Sequence, residues 1–188
     1  MAPSRRLLDE IRQSQPFPSP AQEAAVGLLR TADAVRRGVG EVVGERGITQ
    51  QQYNVLRILR GSHPEPLPTL DLAARMIEAA PGITRLLDRL EAKGLVGRRR
   101  CKDDRRQVLC SITPPGLDLL AALDQPLDAA LSRGMHPLGE AKLAALTELL
   151  DQVRAGFAAA RKPAAPGPEP TPLPLSSPRP TTHQEREP

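Results

Sequence analysis

Aromatic side chains are almost missing from this 188-residue chain: two Phe, one Tyr and no Trp. A core must then be made from Leu, Ile, Val and Ala, which favours packed helices over a β-sandwich. Two cysteines are too few for the disulfide framework of a small secreted scaffold. No apolar run approaches the roughly 18 residues that a membrane span requires, and Met1 to Ile11 is too polar for the apolar heart of a signal peptide. His63, His136 and His183 have no Cys or carboxylate beside them at ligand spacing, so no metal is expected. No Gly-rich phosphate loop or Ser/His/Asp set stands out, so neither an enzyme nor a cofactor is expected. What remains is a single-domain chain with tails, expected in the cytoplasm.

Proline is abundant, with 21 residues, and nine of them fall between Pro163 and Pro188. That segment has too few apolar side chains to offset its ordering entropy and reads as a disordered tail. At the other end, Leu7, Leu8 and Ile11 stand at helical spacing before the break at Pro16, Pro18 and Pro20, which suggests a short packing arm.

Helix starts between the tails are well marked. Ser19-Pro20-Ala21-Gln22 reads as a capping box with Pro in the first turn, opening a long helix through Val26, Leu29, Ala32, Val35, Val39 and Val42. Thr49-Gln50-Gln51-Gln52 is a second box, before a helix whose face is Val55, Ile58 and Leu59. Gly61 to Pro68 reads as a loop. Thr69 is placed as the cap of a short helix with Leu70, Ala73, Ala74 and Ile77 on its apolar face. After a break, Pro81 is placed as the first residue of a helix with the stripe Ile83, Leu86, Leu87 and Leu90, and Gly94 as its left-handed stop. Leu95-Val96, a basic stretch, the polar turn at 102–105 and alternating Val108, Cys110 and Ile112 predict a β-hairpin. Thr113-Pro114 opens a helix through Leu117, Leu120 and Leu123, and a last helix runs from about Leu138 to Ala160.

The fold class that follows is mainly α with a small β-hairpin wing: a winged helix-turn-helix plus helical dimerisation regions. Its expected divisions are an N-terminal arm (1–18), a dimerisation helix (19–47), the winged helix-turn-helix (48–113), further dimerisation helices (114–162) and the Pro-rich tail (163–188). A homodimer is expected because two long apolar-faced helices flank a winged helix too small to bury both.

Charge singles out one part of this pattern. Arg85 to Arg106 holds nine basic and four acidic residues, a net of +5, whereas the whole chain is +4. All of the positive excess therefore lies on the second helix of the motif and on the hairpin, the footprint of a nucleic-acid-binding surface. With its stripe buried, that helix presents Gly82, Thr84, Arg85 and Arg89, and Pro81 and Gly82 stand where the helix dipole favours anions. An arginine there can take guanine O6 and N7 as a bidentate pair. Arg98, Arg99 and Arg105 extend the basic face along the hairpin. The rival reading is a winged-helix module that sets this face against an acidic protein.

The stretch Ile83-Thr-Arg-Leu-Leu-Asp-Arg-Leu-Glu-Ala-Lys-Gly-Leu-Val96, with Asp104-Arg-Arg106 and Ile112-Thr-Pro-Pro-Gly116 after it and Gln50 to Leu59 before it, resembles the MarR family of bacterial transcriptional regulators. The likeness spans roughly residues 20–155. It implies an intertwined homodimer on a pseudo-palindromic operator of double-stranded DNA. It also implies that Pro81, Gly82, Thr84 and Arg85 face the major groove, that Arg106 enters the minor groove, and that Asp104 orients the wing tip. A repressor released by a small-molecule effector is the behaviour that the resemblance implies, as in many members of the family.

For the two thiols, a turn at 102–105 sets Cys101 opposite Arg106 and Cys110 opposite Gly97. They are then four positions, about 13 Å, apart along the ladder, too far for a disulfide. Cys110 reads as a small core residue, and Cys101, among arginines, as a candidate redox sensor.

Overall fold

The computed structural model describes residues 5–78 and 81–160; the Pro-rich tail and His183 lie outside them. The chain divides into two units, 1–139 and 140–188. The first holds α1 (Arg5–Glu10), α2 (Pro20–Gly44), α3 (Gln50–Ser62), β1 (Leu67–Pro68), α4 (Thr69–Ala74), α5 (Ile83–Ala92), β2 (Val96–Arg100), β3 (Val108–Ile112) and α6 (Pro114–Met135). The described part of the second is α7 (Gly139–Ala160), in which no residue is buried. Among the described residues no helix is long and apolar enough to cross a membrane.

Local signals set the helix starts. Ser19 accepts a hydrogen bond from the Gln22 N–H with Pro20 in the first turn. At Thr49 both halves of the capping box form: its hydroxyl accepts from the Gln52 N–H at 3.2 Å, and the Gln52 side chain accepts from the Thr49 N–H at 2.9 Å. This satisfies two donors that a helix start otherwise leaves open. Gly94, at φ +71, ends α5 as expected. The arm packs on α2, with Leu7 against Gly27 and Glu10 ion-paired to Arg30 at 2.8 Å.

One apolar cluster gathers the motif: Val43 from α2, Val55, Leu56 and Leu59 from α3, Leu72 from α4, Leu87 and Leu90 from α5, Cys110 and Ile112 from β3, and Leu120, Leu123 and Leu127 from α6. Only the C-terminal part of α2 reaches it; Leu29 is exposed, so the expected apolar face of that helix is covered for only part of its length.

Four expectations are corrected here. The loop before α4 contains a strand, because Leu67 and Pro68 pair with Cys110 and Leu109, making a three-stranded antiparallel sheet in the order β1-β3-β2. Pro68 is tolerated because β1 is an edge. Thr69 does not cap α4; its hydroxyl donates to the Val108 carbonyl at 3.1 Å, tying helix to strand. Helix α4 ends at Ala74 and buries Leu72, while Leu70 and Ile77 are 80% and 76% exposed. The spacing Leu70-Ala73-Ala74-Ile77 thus marked the outer side of a helix too short to carry its last member. Pro81 precedes α5, whose cap is Gly82.

The hairpin register differs by one residue. Arg98 stands opposite Cys110 and Arg100 opposite Val108, and the Cys101 N–H donates to the Gln107 carbonyl at 3.0 Å. The thiols are therefore three ladder positions apart, about 10 Å, and both are free. Cys110 is fully buried, and burial pushes its thiol pKa up.

A candidate nucleic-acid interface

Helix α5 is amphipathic in the way its sequence implies. Leu87 and Leu90 are buried and Ile83 and Leu86 half-buried, which leaves Thr84, Arg85 and Arg89 exposed on the other side. Pro81 and Gly82 lie exposed just ahead of it. No side chain caps the first turn, so its N–H groups remain open to an anion. Nothing lies within 4 Å of where a Gly82 Cβ would stand, so the approach is clear.

The wing tip is shaped by Asp104. Its carboxylate accepts from the Arg106 N–H at 3.0 Å and from the Gln107 side-chain amide at 3.2 Å, and its carbonyl accepts from the Gln107 N–H at 2.9 Å. This is an Asx-type turn, and it leaves Arg105 and Arg106 exposed. Between wing and helix runs a groove of about 620 Å³, lined by Thr69 and Leu70 of α4, Thr84 and Leu87 of α5, and Arg98 and Arg106 of the hairpin.

A hydrogen-bonded junction fixes the wing's base. The Thr113 hydroxyl donates to the Gly94 carbonyl at 2.7 Å and accepts from the Gly116 N–H; the Thr113 N–H donates to the Leu95 carbonyl at 3.1 Å. One threonine thereby joins the end of α5, the lead into β2 and the start of α6. Gly116 is needed for this closeness, since a Cβ there would stand 2.4 Å from the Leu95 carbonyl oxygen. Sequence reasoning placed Thr113 as a cap but missed its bond to Gly94, which joins residues 19 apart.

The ten candidate residues do not all share one environment. Pro81, Gly82, Thr84, Arg85, Arg89, Arg99, Arg105 and Arg106 are exposed. Arg85, Arg89, Arg99, Arg105 and Arg106 make no ion pair among the described residues. Arg98 differs: its side chain is only 22% exposed and is held by Asp88 and Glu91 of α5. Asp104 serves the turn rather than the surface.

The MarR family's sequence profile matches residues 48–108, the stretch from the Thr49 cap to the start of β3. A MarR transcription factor from Planctomyces limnophilus is 39% identical, with a TM-score of 0.57, over 73% of this chain and 99% of that one. The chain belongs to the MarR family. This MarR-family protein is a DNA-binding transcriptional regulator, and its relatives are regulators rather than enzymes. The homoprotocatechuate degradative operon repressor of Escherichia coli is 28% identical over 68% of this chain and 84% of its own length. NadR, solved in complex with 4-hydroxyphenylacetate, is 27% identical with a TM-score of 0.61, over 74% of this chain and 97% of that one.

Proposed function

We propose that this regulator acts in the cytoplasm as a homodimeric repressor that sets α5 in the major groove of a pseudo-palindromic operator and the wing tip in the flanking minor groove. The observation that carries the reading is the groove between α5 and the wing, which Thr84 and Arg106 line, together with exposed arginines that make no ion pair among the described residues: Arg85 and Arg89 on the helix, Arg106 on the wing. A phosphate backbone lying along that groove would place base edges beside Arg85 and the narrower groove beside Arg106. Pro81, Gly82 and Thr84 would follow the backbone past the open turn of α5, and Arg89, Arg99 and Arg105 would take flanking phosphates.

Dimerisation is supported by apolar surface left uncovered in one chain. In the first unit Leu28 and Leu29 of α2 are exposed, and in the second, taken by itself, Leu149, Val153 and Phe157 recur at helical spacing on α7 and are exposed; uncovered apolar side chains of this kind are what a second copy would bury. Control by a small molecule is supported by the phenolic acid bound to NadR. A groove of about 250 Å³ between α2 and α6, walled by Val35, Val39, Leu131 and Met135, offers an apolar seat.

The test is a gel shift against the gene's own upstream region and against duplexes selected from a random-sequence pool. Retarded, salt-sensitive bands with a palindromic consensus are expected, with release by a hydroxylated aromatic acid. Binding to acidic protein but to no duplex would favour the rival use of the basic face, and sedimentation showing a folded monomer at micromolar concentration would refute the dimer.

A further inference from the structure

Arg98 stands in the middle of β2, opposite Cys110, and lines the groove with Arg106, yet unlike the exposed Arg99 and Arg100 beside it its side chain is largely covered and ion-paired. It reaches back to α5, where Nε donates to Glu91 at 2.9 Å and a terminal nitrogen donates to the same oxygen and is ion-paired with Asp88 at 2.7 Å. Asp88 and Glu91 are three residues apart, so both project from the same side of the helix. Each contact shifts a pKa in the stabilising direction: the Arg98 hydrogen bond lowers that of Glu91, and Glu91 raises that of Arg98.

Two consequences follow from this arrangement. The carboxylates of Asp88 and Glu91 sit on the helix that carries Arg85 and Arg89, where they would repel a phosphate backbone if left uncompensated. One terminal nitrogen of Arg98 lies against both carboxylates while Nε adds a second bond to Glu91, a fixed two-nitrogen geometry that the single ammonium of a lysine does not reproduce. The same contacts also tie the base of the wing to α5, and so set the distance across the groove between Thr84 and Arg106.

We propose that Arg98 is a positioning residue, which offsets one of the two negative charges of Asp88 and Glu91 and locks the wing to the recognition helix, and that it is not itself a phosphate contact. This replaces its assignment to the DNA-contacting set and rests on the DNA-binding reading above.

The experiment uses duplexes that the wild-type full-length chain selects from a random pool; if it selects none, the DNA-binding reading fails and not this one. Affinity is measured at several salt concentrations for Arg98→Gln, Arg98→Lys, and the neutral triple variant Asp88→Asn/Glu91→Gln/Arg98→Gln, with Arg106→Ala as the reference for a lost contact and thermal melting as the control. Arg98→Gln is expected to bind about tenfold more weakly, because the cluster then faces the backbone with a net charge of −2 instead of −1 and the wing is no longer tied to α5. Arg98→Lys should fall between it and the wild type. The triple variant should recover the part of the loss that comes from the exposed carboxylates, so that it binds more tightly than Arg98→Gln, and should keep the wild-type dependence on salt. A lost phosphate contact would instead make the slope of log K against log salt shallower by about 0.9 per protomer. A triple variant as weak as Arg98→Gln, with that shallower slope, would overturn the proposal. So would an Arg98→Gln protein that melts earlier but binds with wild-type affinity. If Arg98→Gln alone does not fold, the triple and lysine variants still decide between the two.

Discussion

Replacing Gly116 with Ala tests the junction on which the wing's position depends. The added Cβ would stand 2.4 Å from the Leu95 carbonyl oxygen and 2.7 Å from Ile112 Cγ1. The second neighbour is a side chain and can rotate, but the first is backbone. That oxygen also accepts the Thr113 N–H at 3.1 Å, so relieving the clash moves the lead into β2 away from α6 and stretches this bond. Overpacking of this kind costs about 1–3 kcal/mol, with the upper end apt where backbone must move. Alanine returns something under 1 kcal/mol through its better helix propensity. The net expectation is a loss of about 2 kcal/mol, which in a chain of this size lowers the melting midpoint by about 4–8 °C. Circular dichroism melts would read it, with Gly61→Ala as the control, since nothing lies within 4 Å of a Cβ there. DNA affinity measured well below the melt should fall as well, because the strain is delivered to the base of the wing. A Gly116→Ala protein that melts with the wild type and binds DNA equally would refute the close approach and the junction built on it.

Arg85→Ala should flatten the base preference at one position of each half-site, by about 1–3 kcal/mol of discrimination; unchanged preference across single-base operator variants would remove it from the base-reading set. Arg106→Ala should weaken binding across many sequences and make the salt slope shallower by about 0.9 per protomer; a folded variant with wild-type affinity would take the wing off the DNA. Cys110 is fully buried and burial raises its thiol pKa, whereas Cys101 is partly exposed, so iodoacetamide should label one thiol in the native protein and two in denaturant; rapid native labelling of both would contradict the packing around β3. The Arg98 hydrogen bond holds Glu91 below its ordinary carboxylate value, so the pair's contribution is present above that value and is lost as pH falls through the lowered one. Acid melts of wild type and Glu91→Gln should therefore converge toward low pH, and curves that stay parallel would show that the pair contributes nothing.

Much of this fold was legible because its signals are short-range. Caps at Ser19, Thr49 and Thr113, the left-handed stop at Gly94 and the alternation at Val108, Cys110 and Ile112 depend on a few neighbouring residues, and each lies where the sequence put it. The charge excess between Arg85 and Arg106 was likewise a matter of counting, and it marked the face that proved exposed. Tertiary contacts decided what local preference leaves open. Leu70 and Leu72 suit a helix equally well, and only packing against α3, α5 and β3 selected Leu72 for the core. The strand at Leu67–Pro68 exists because β3 offers it an edge, and two residues carry no pattern of their own. A hairpin of this composition accepts registers one residue apart, and burial of Cys110 and Ile112 fixed one of them. The arginines at 98, 99 and 100 are chemically identical in sequence, but only the first finds two carboxylates within reach, because α5 passes beside that position of β2. Sequence determines which groups a chain carries and where its helices begin; which of those groups meet is settled by elements that are distant along the chain and adjacent in space.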